Sequence, residues 1–140
     1  GGGLAAGTAL AMRALAPHGR LYLAEPAGAA DGARSFAAGA LDHDVIPNTI
    51  CDGLRGTLGA INFDILRATD AQVLTVDDAQ TLAALRLLWS RTKQLIEPSS
   101  AIVLAAVLAH RELFAGRNVG VVLSGGNVDL DALPALLAAG

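Results

Sequence analysis

The sequence predicts an α/β fold, a parallel sheet with flanking helices, and three observations carry that prediction. Short apolar runs at residues 20–25, 72–76 and 118–123, the last apolar on both faces, suit strands of a parallel sheet. Between them lie longer segments whose apolar residues recur at helical spacing. Glycine-rich or acidic turns separate strand from helix, the punctuation of βα units with right-handed crossovers. The 140 residues, 53% hydrophobic and 16% charged with 16 Gly and 5 Pro, suit one compact domain and exclude disorder, collagen and coiled coil.

The elements follow in order. Residues 4–15 (LAAGTALAMRAL) are rich in Ala and Leu and stop at Pro17 and Gly19, which predicts a helix starting at the glycines. Residues 20–25 (RLYLAE) form a strand that ends on a carboxylate, and EPAGAADG is a loop. Residues 33–41 are expected to be helical and 43–53 irregular. Leu54, Leu58, Ile61 and Ile65, spaced by four, three and four, predict a helix over 54–68 in spite of Gly56 and Gly59. The strand QVLTV is followed by Asp77 and Asp78, as N-cap and first-turn acids of a helix reaching Leu95 with Leu82, Leu85, Leu88 and Trp89 as its stripe. Pro98 starts another helix over 101–114. NVGVVL at 118–123 is the clearest strand, a central one, and runs through Ser124-Gly125-Gly126-Asn127 into a last helix over 129–139.

Charge and composition exclude several functions. A net charge of −3, from 10 basic and 13 acidic residues, gives no electrostatic footprint for nucleic acid. The longest apolar stretch, 101–109, is too short to span a bilayer, and no charged segment precedes an apolar one at the start, so neither membrane nor secretion is expected. The lone Cys51 forms no disulfide framework, which makes the cytoplasm the expected compartment. Lys93 is the single lysine beside nine arginines, so any lysine mechanism has one candidate here or none. The chain opens on Gly1-Gly2-Gly3 with no Met. Such a run normally follows a strand and opens a helix, so a fragment of a larger protein is expected.

In parallel sheets, ligands bind where strand ends lead into helix N-termini. Gly1-Gly2-Gly3-Leu4, the loop after Glu25, and Ser124-Gly125-Gly126-Asn127 occupy such places. Consecutive glycines let amide N–H groups converge on an anion, and the next helix adds its positive end, so a phosphate is the natural guest; a tight packing turn is the plain alternative. Gly1-x-Gly3-x-x-Ala6 with Glu25 also fits a dinucleotide fingerprint of the nicotinamide type. Against that stand Pro26, the acidic small-residue loop, and a second glycine turn left without a task.

Five segments in order, GGGLAAG, LYLAEP with the Asp31 loop, TICDGLRGTLG, LIEPSSA and LSGGNVD, resemble pyridoxal-phosphate enzymes of fold type II, the tryptophan-synthase β type. Within these the resemblance is to the serine racemase and serine/threonine dehydratase group, and it covers the whole chain. It implies that residues 1–140 are the C-terminal part of the large cofactor-binding domain. It further implies that Gly1, Gly2 and Gly3, with the Leu4 N–H, hold the cofactor phosphate, although the family's loop usually has another small residue before them. Ser124 would offer its hydroxyl to the pyridine nitrogen. A neutral hydroxyl makes the ring a milder electron sink, suited to β-elimination of water or to racemisation. Gly53 would line the pocket and Glu97 would lie close to the ring. Glu25, the Ala29 carbonyl and Asp31 would form a site for Mg²⁺ or Ca²⁺ with hard oxygen donors.

The residues alone leave other readings open. Ser124 could cap the helix after Gly126, Glu97 could be a helix-start acid, and Glu25 and Asp31 could belong to a solvated acidic loop. Cys51, where relatives usually have Ala, is expected to pack and do no chemistry. His18, His43 and His110 lack paired ligand spacing and are expected at the surface or in packing. Lys93 is expected to be solvated. By the resemblance, the Schiff-base lysine and its acid/base partner lie in an N-terminal half outside these residues, so no catalytic residue is expected here and the chain by itself should be inactive. If LPALLAAG is the native C-terminus, no regulatory domain is expected to follow it, which would favour the short catabolic or racemase form over the long biosynthetic deaminase. The whole protein is then expected to be a homodimer acting on a small hydroxy amino acid such as serine or threonine, giving a 2-oxo acid plus ammonia or the other enantiomer. An inactive homologue and a nicotinamide-binding domain are the alternatives.

Overall fold

The structure, a computed structural model, describes residues 1–138. Helix α1 (Gly3–Leu15) leads into strand β1 (Tyr22–Pro26), a single 3₁₀ turn and helix α2 (Asp31–Ala38). A long loop follows, then α3 (Ala60–Ala68), β2 (Gln72–Val76), α4 (Asp78–Thr92), α5 (Pro98–Ala109), the short α6 (Arg111–Phe114) and α7 (Leu133–Ala138). Among the described residues the sheet has two strands, β1 and β2, parallel and in register from Tyr22 opposite Gln72 to Pro26 opposite Val76. An α/β fold with a small parallel sheet and flanking helices is thus what the sequence predicted.

Strand alternation builds the layers. Leu23 points to a core of Ala6, Ala9, Leu66 and Ala71 contributed largely by α1 and α3. Its neighbour Ala24 points to the other face, with Leu74, against Cys51, Val76, Ala84, Ile102 and Ala105. Beyond that face, Leu82, Leu85 and Leu88 of α4 pack on Ile96 and Ala101, which realises the stripe read from the sequence. The Trp89 indole N–H closes this layer by donating to the Ile96 carbonyl at 2.8 Å.

Several boundaries move, each for a local reason. Helix α2 starts at Asp31, two residues early, because the Glu25 carboxylate accepts the N–H groups of Gly32 and Ala33, and it ends at Gly39 in the left-handed region, φ 72°. The helix expected over 54–68 forms only from Ala60. Upstream, the Leu58 N–H is taken by Asp31 and the Gly59 N–H by the Gly1 carbonyl, so these donors are lost to a helical ladder. Helix α4 has its expected Asp77 cap, completed by Gln80 as a reciprocal capping box, and stops at Thr92 because Lys93 turns left-handed at φ 60°. His110 breaks the helix expected over 101–114 into α5 and α6.

The largest correction is at residues 118–123, expected as a central strand. They carry no ladder, and Val119, Val121 and Val122 are exposed at 42%, 42% and 57%. An extended segment becomes a strand only beside another backbone, and no described strand lies alongside it. The last helix likewise begins at Leu133 and not at residue 129, since Asp129 and its neighbours form turns; residue 139, its expected end, lies outside the described residues. Among the described residues no helix is long and apolar enough to cross a membrane.

Candidate functional site

The opening turn is a helix N-terminus with its donors free. Gly2 is the N-cap at φ 82°, a conformation that glycine adopts without strain, and the Leu58 side chain and Asn62 press against its Cα so that a Cβ would overlap Leu58. No side chain caps α1 and its first turn has no acid. The amides of Gly3, Leu4 and Ala5 find no acceptor among the described residues, while Ala6 is the first to bond back, to the Gly2 carbonyl at 2.9 Å. Space beside Gly1 and Gly3 is open. The turn is anchored from behind: the Gly1 carbonyl accepts the Gly59 N–H and the Asn62 side-chain amide. This is a cradle of unpaired donors with the helix dipole behind it, suited to a phosphate dianion.

The loop after β1 holds the next group. Glu25 faces inward, its two carboxylate oxygens accepting Gly32 N–H at 2.9 Å and Ala33 N–H at 2.8 Å. Burial pushes its pKa up, against those two hydrogen bonds, and the nearby Asp31 charge adds to the rise. Asp31, only 3% exposed, gives Oδ2 to the Leu58 N–H at 2.7 Å. Leu58 therefore ties this loop to the opening turn, through its N–H to one and its side chain to the other. Ala29, in the same loop, is buried. Two carboxylates and a backbone carbonyl along this loop are hard oxygen donors of the kind a divalent cation takes, each carboxylate keeping lone pairs beyond its hydrogen bonds.

A third corner brings together Gly53, Glu97 and the 124–127 turn. The Gly53 N–H is shared by Asp52 Oδ1 at 2.9 Å and Ser99 Oγ at 3.0 Å, and a Cβ there would come within 3.9 Å of Glu97 Oε1. The Glu97 carboxylate accepts the Asn127 N–H at 2.6 Å, and the Glu97 N–H donates to the Gly125 carbonyl at 3.2 Å. Glu97 is thus not a mere helix-start acid, since its carboxylate caps nothing on α5. Ser124 is exposed and its hydroxyl has no partner among the described residues. A capping role is excluded because the next helix after it begins only at Leu133.

Sequence reasoning missed the residues that support these three places. Asp78 accepts the Thr49 hydroxyl at 2.6 Å and the Ile50 N–H at 3.0 Å, fixing the loop that presents Gly53. The one available signal was a second acid beside the capping Asp77, surplus to the helix. Ser99, Leu58 and Asn62 gave no signal, because each acts on a partner distant in sequence. Of the remaining residues singled out, Cys51 is buried at 0% exposure beside Thr49, His43 meets the Thr57 hydroxyl and His110 lies near the Thr75 carbonyl. Lys93 is exposed at the end of α4.

Comparison with known proteins adds to this geometry. The family described as pyridoxal-phosphate dependent enzyme matches residues 1–125. The chain is 42% identical over 134 residues to the β-hydroxyaspartate dehydratase of Paracoccus denitrificans, covering 96% of this chain and 42% of that protein. It superposes on maize serine racemase with a TM-score of 0.89 at 39% identity, covering 99% of this chain and 44% of the other. The T.th. threonine deaminase superposes with a TM-score of 0.87 at 43% identity, covering 93% and 48%. The chain spans less than half the length of each.

Proposed function

Because the chain belongs to the pyridoxal-phosphate-dependent enzyme family, we propose that it forms the phosphate-holding and ring-contacting part of an enzyme that dehydrates and deaminates, or racemises, a small hydroxy amino acid. The observation that carries the reading is the uncapped glycine turn with its free amides. Gly1, Gly2 and Gly3, with the Leu4 N–H, bind and orient the cofactor phosphate; no side chain competes for those donors. When bound, pyridoxal phosphate withdraws electrons from the substrate's α-carbon, the chemistry shared by elimination and racemisation. The unpartnered Ser124 hydroxyl is free to meet the ring nitrogen, and being neutral it does not hold a proton there as a carboxylate would. Gly53, fixed by Asp52 and Ser99, lines the pocket wall. Glu25, Asp31 and the Ala29 carbonyl hold Mg²⁺ or Ca²⁺, which steadies the loop that Leu58 joins to the glycine turn. The nicotinamide alternative falls with the family match, and Glu25, turned onto Gly32 and Ala33, is not presented to a ribose.

The test uses the full-length protein. Gly3→Asp puts a carboxylate among the phosphate donors and is expected to weaken pyridoxal phosphate roughly a hundredfold, about two charge-assisted contacts' worth. Ser124→Ala leaves the phosphate contacts and is expected to lower turnover of serine, threonine or 3-hydroxyaspartate, followed as 2-oxo acid, with little change in cofactor affinity. Unchanged cofactor affinity in Gly3→Asp would reject the assignment of the turn.

A further inference from the structure

We infer that Glu97 is a positioning residue, one that sets Ser124 by clamping the 124–127 turn through its main chain. The inference rests on the proposed cofactor role of Ser124 and explains how that hydroxyl is held in place. Glu97 stands at the N-cap of α5 with extended backbone, φ −82° and ψ 160°, where an acid ordinarily accepts an N–H of its own helix. Here it does not, and α5 is started by Pro98. The helix begins from the Glu97 carbonyl instead, which accepts the N–H groups of Ser100 and Ala101 at 3.0 and 2.9 Å.

The side chain and the N–H of Glu97 are spent on the turn. The carboxylate takes the Asn127 N–H at 2.6 Å, a charge-assisted bond on one side of the two glycines. The Glu97 N–H reaches the Gly125 carbonyl, between the two glycines, at 3.2 Å. Both glycines are demanded by this approach. A Cβ on Gly125 would lie 2.6 Å from the Glu97 carboxylate carbon, and one on Gly126 would lie 2.5 Å from the Leu95 carbonyl oxygen. The Ser-Gly-Gly-Asn sequence therefore fits the 95–97 segment as a surface fits its mould. Ser124 is the residue just before the gripped pair and has no side-chain partner of its own among the described residues. The place of its Cβ, and so the arc its hydroxyl can sweep, is consequently set by the main chain that Glu97 holds.

A positioning role and a direct cofactor contact make opposite predictions in a double-mutant cycle on the full-length holoenzyme. Glu97→Ala is expected to reduce kcat about tenfold and shift the cofactor absorbance band toward that of Ser124→Ala, with Glu97→Gln, which keeps an acceptor, within about threefold of wild type. In a Ser124→Ala background Glu97→Ala should add nothing to either readout. Additive losses in the double variant would overturn the inference and make Glu97 a contact residue. A second cycle reads the clamp without cofactor. Gly125→Ala should lower the melting temperature of the apoprotein in the wild-type background and less in Glu97→Ala, where the clash is gone; equal losses would refute the grip itself. Failure of wild-type protein to bind pyridoxal phosphate would sink the proposed function while leaving this second cycle to decide whether Glu97 holds the turn.

Discussion

At the scale of single residues, the chain separates what can react from what only packs. Cys51 illustrates the second class. It is completely buried, and burial pushes its thiol up to about 11 in spite of hydrogen bonds to Thr49 and Thr81. The sign of the linkage follows. An unfolded thiol ionises near its ordinary 9.0 while the folded one keeps its proton to about 11, so the contribution of Cys51 to stability is whole below pH 9 and is lost as pH rises through the window to 11. Each unit of that difference corresponds to about 1.4 kcal/mol. Native protein at pH 8 should resist iodoacetamide and react fully in urea, and Cys51→Ala should flatten the fall in stability above pH 9. Rapid alkylation of the native state would contradict the buried, protonated thiol. The sequence made the inertness of Cys51 legible, because a lone thiol had no partner in any motif. It could not reveal that Thr49, Asp78 and Ile50 form a hydrogen-bonded brace beside it, since those residues lie 28 and 29 positions apart.

At the scale of elements, local pattern succeeded where a helix keeps its own backbone donors or a strand meets a neighbour, and failed where another segment takes a helix's donors or no neighbour comes. Strand β2 and the caps of α1 and α4 fall where local chemistry predicted, through the short run at 72–76, the opening glycines and Asp77. The start of α3 does not. The spacing of Leu54, Leu58, Ile61 and Ile65 is helical, yet Asp31 takes the Leu58 N–H and holds residues 54–59 out of the helix. The Asp31 side chain is buried, so its removal leaves that donor unsatisfied, at a cost of about 1–3 kcal/mol. Asp31→Ala in chelator-treated protein should lower the unfolding free energy by that amount, read as a lower urea midpoint with an unchanged slope, and Asp31→Asn, which keeps an acceptor, should lower it by less. Equal stability of Asp31→Ala and wild type without divalent cation would mean that Asp31 serves only as a cation ligand.

At the scale of the whole molecule, the site was legible as types of turn but not as a set of contacts. Glycine runs and acids at strand ends announced where a phosphate and a cation could sit, because those chemistries need small residues and carboxylates in consecutive positions. Which of them share supports was invisible, since Leu58 and Glu97 act across the chain. The same limit explains residues 118–123, apolar enough for a central strand and yet unpaired, in a chain that spans 42–48% of the relatives it superposes on or aligns with. Strand character there is a demand for a neighbour, and hydrogen exchange measures whether the demand is met. In the 140-residue chain the amides of 118–123 should exchange at near-unprotected rates while those of 72–76, laddered to β1, are slowed by orders of magnitude. In the full-length protein both segments should be protected alike. Protection of 118–123 in the short chain would show that it finds a strand partner within these residues, and the pair formed by β1 and β2 would then be only part of the sheet.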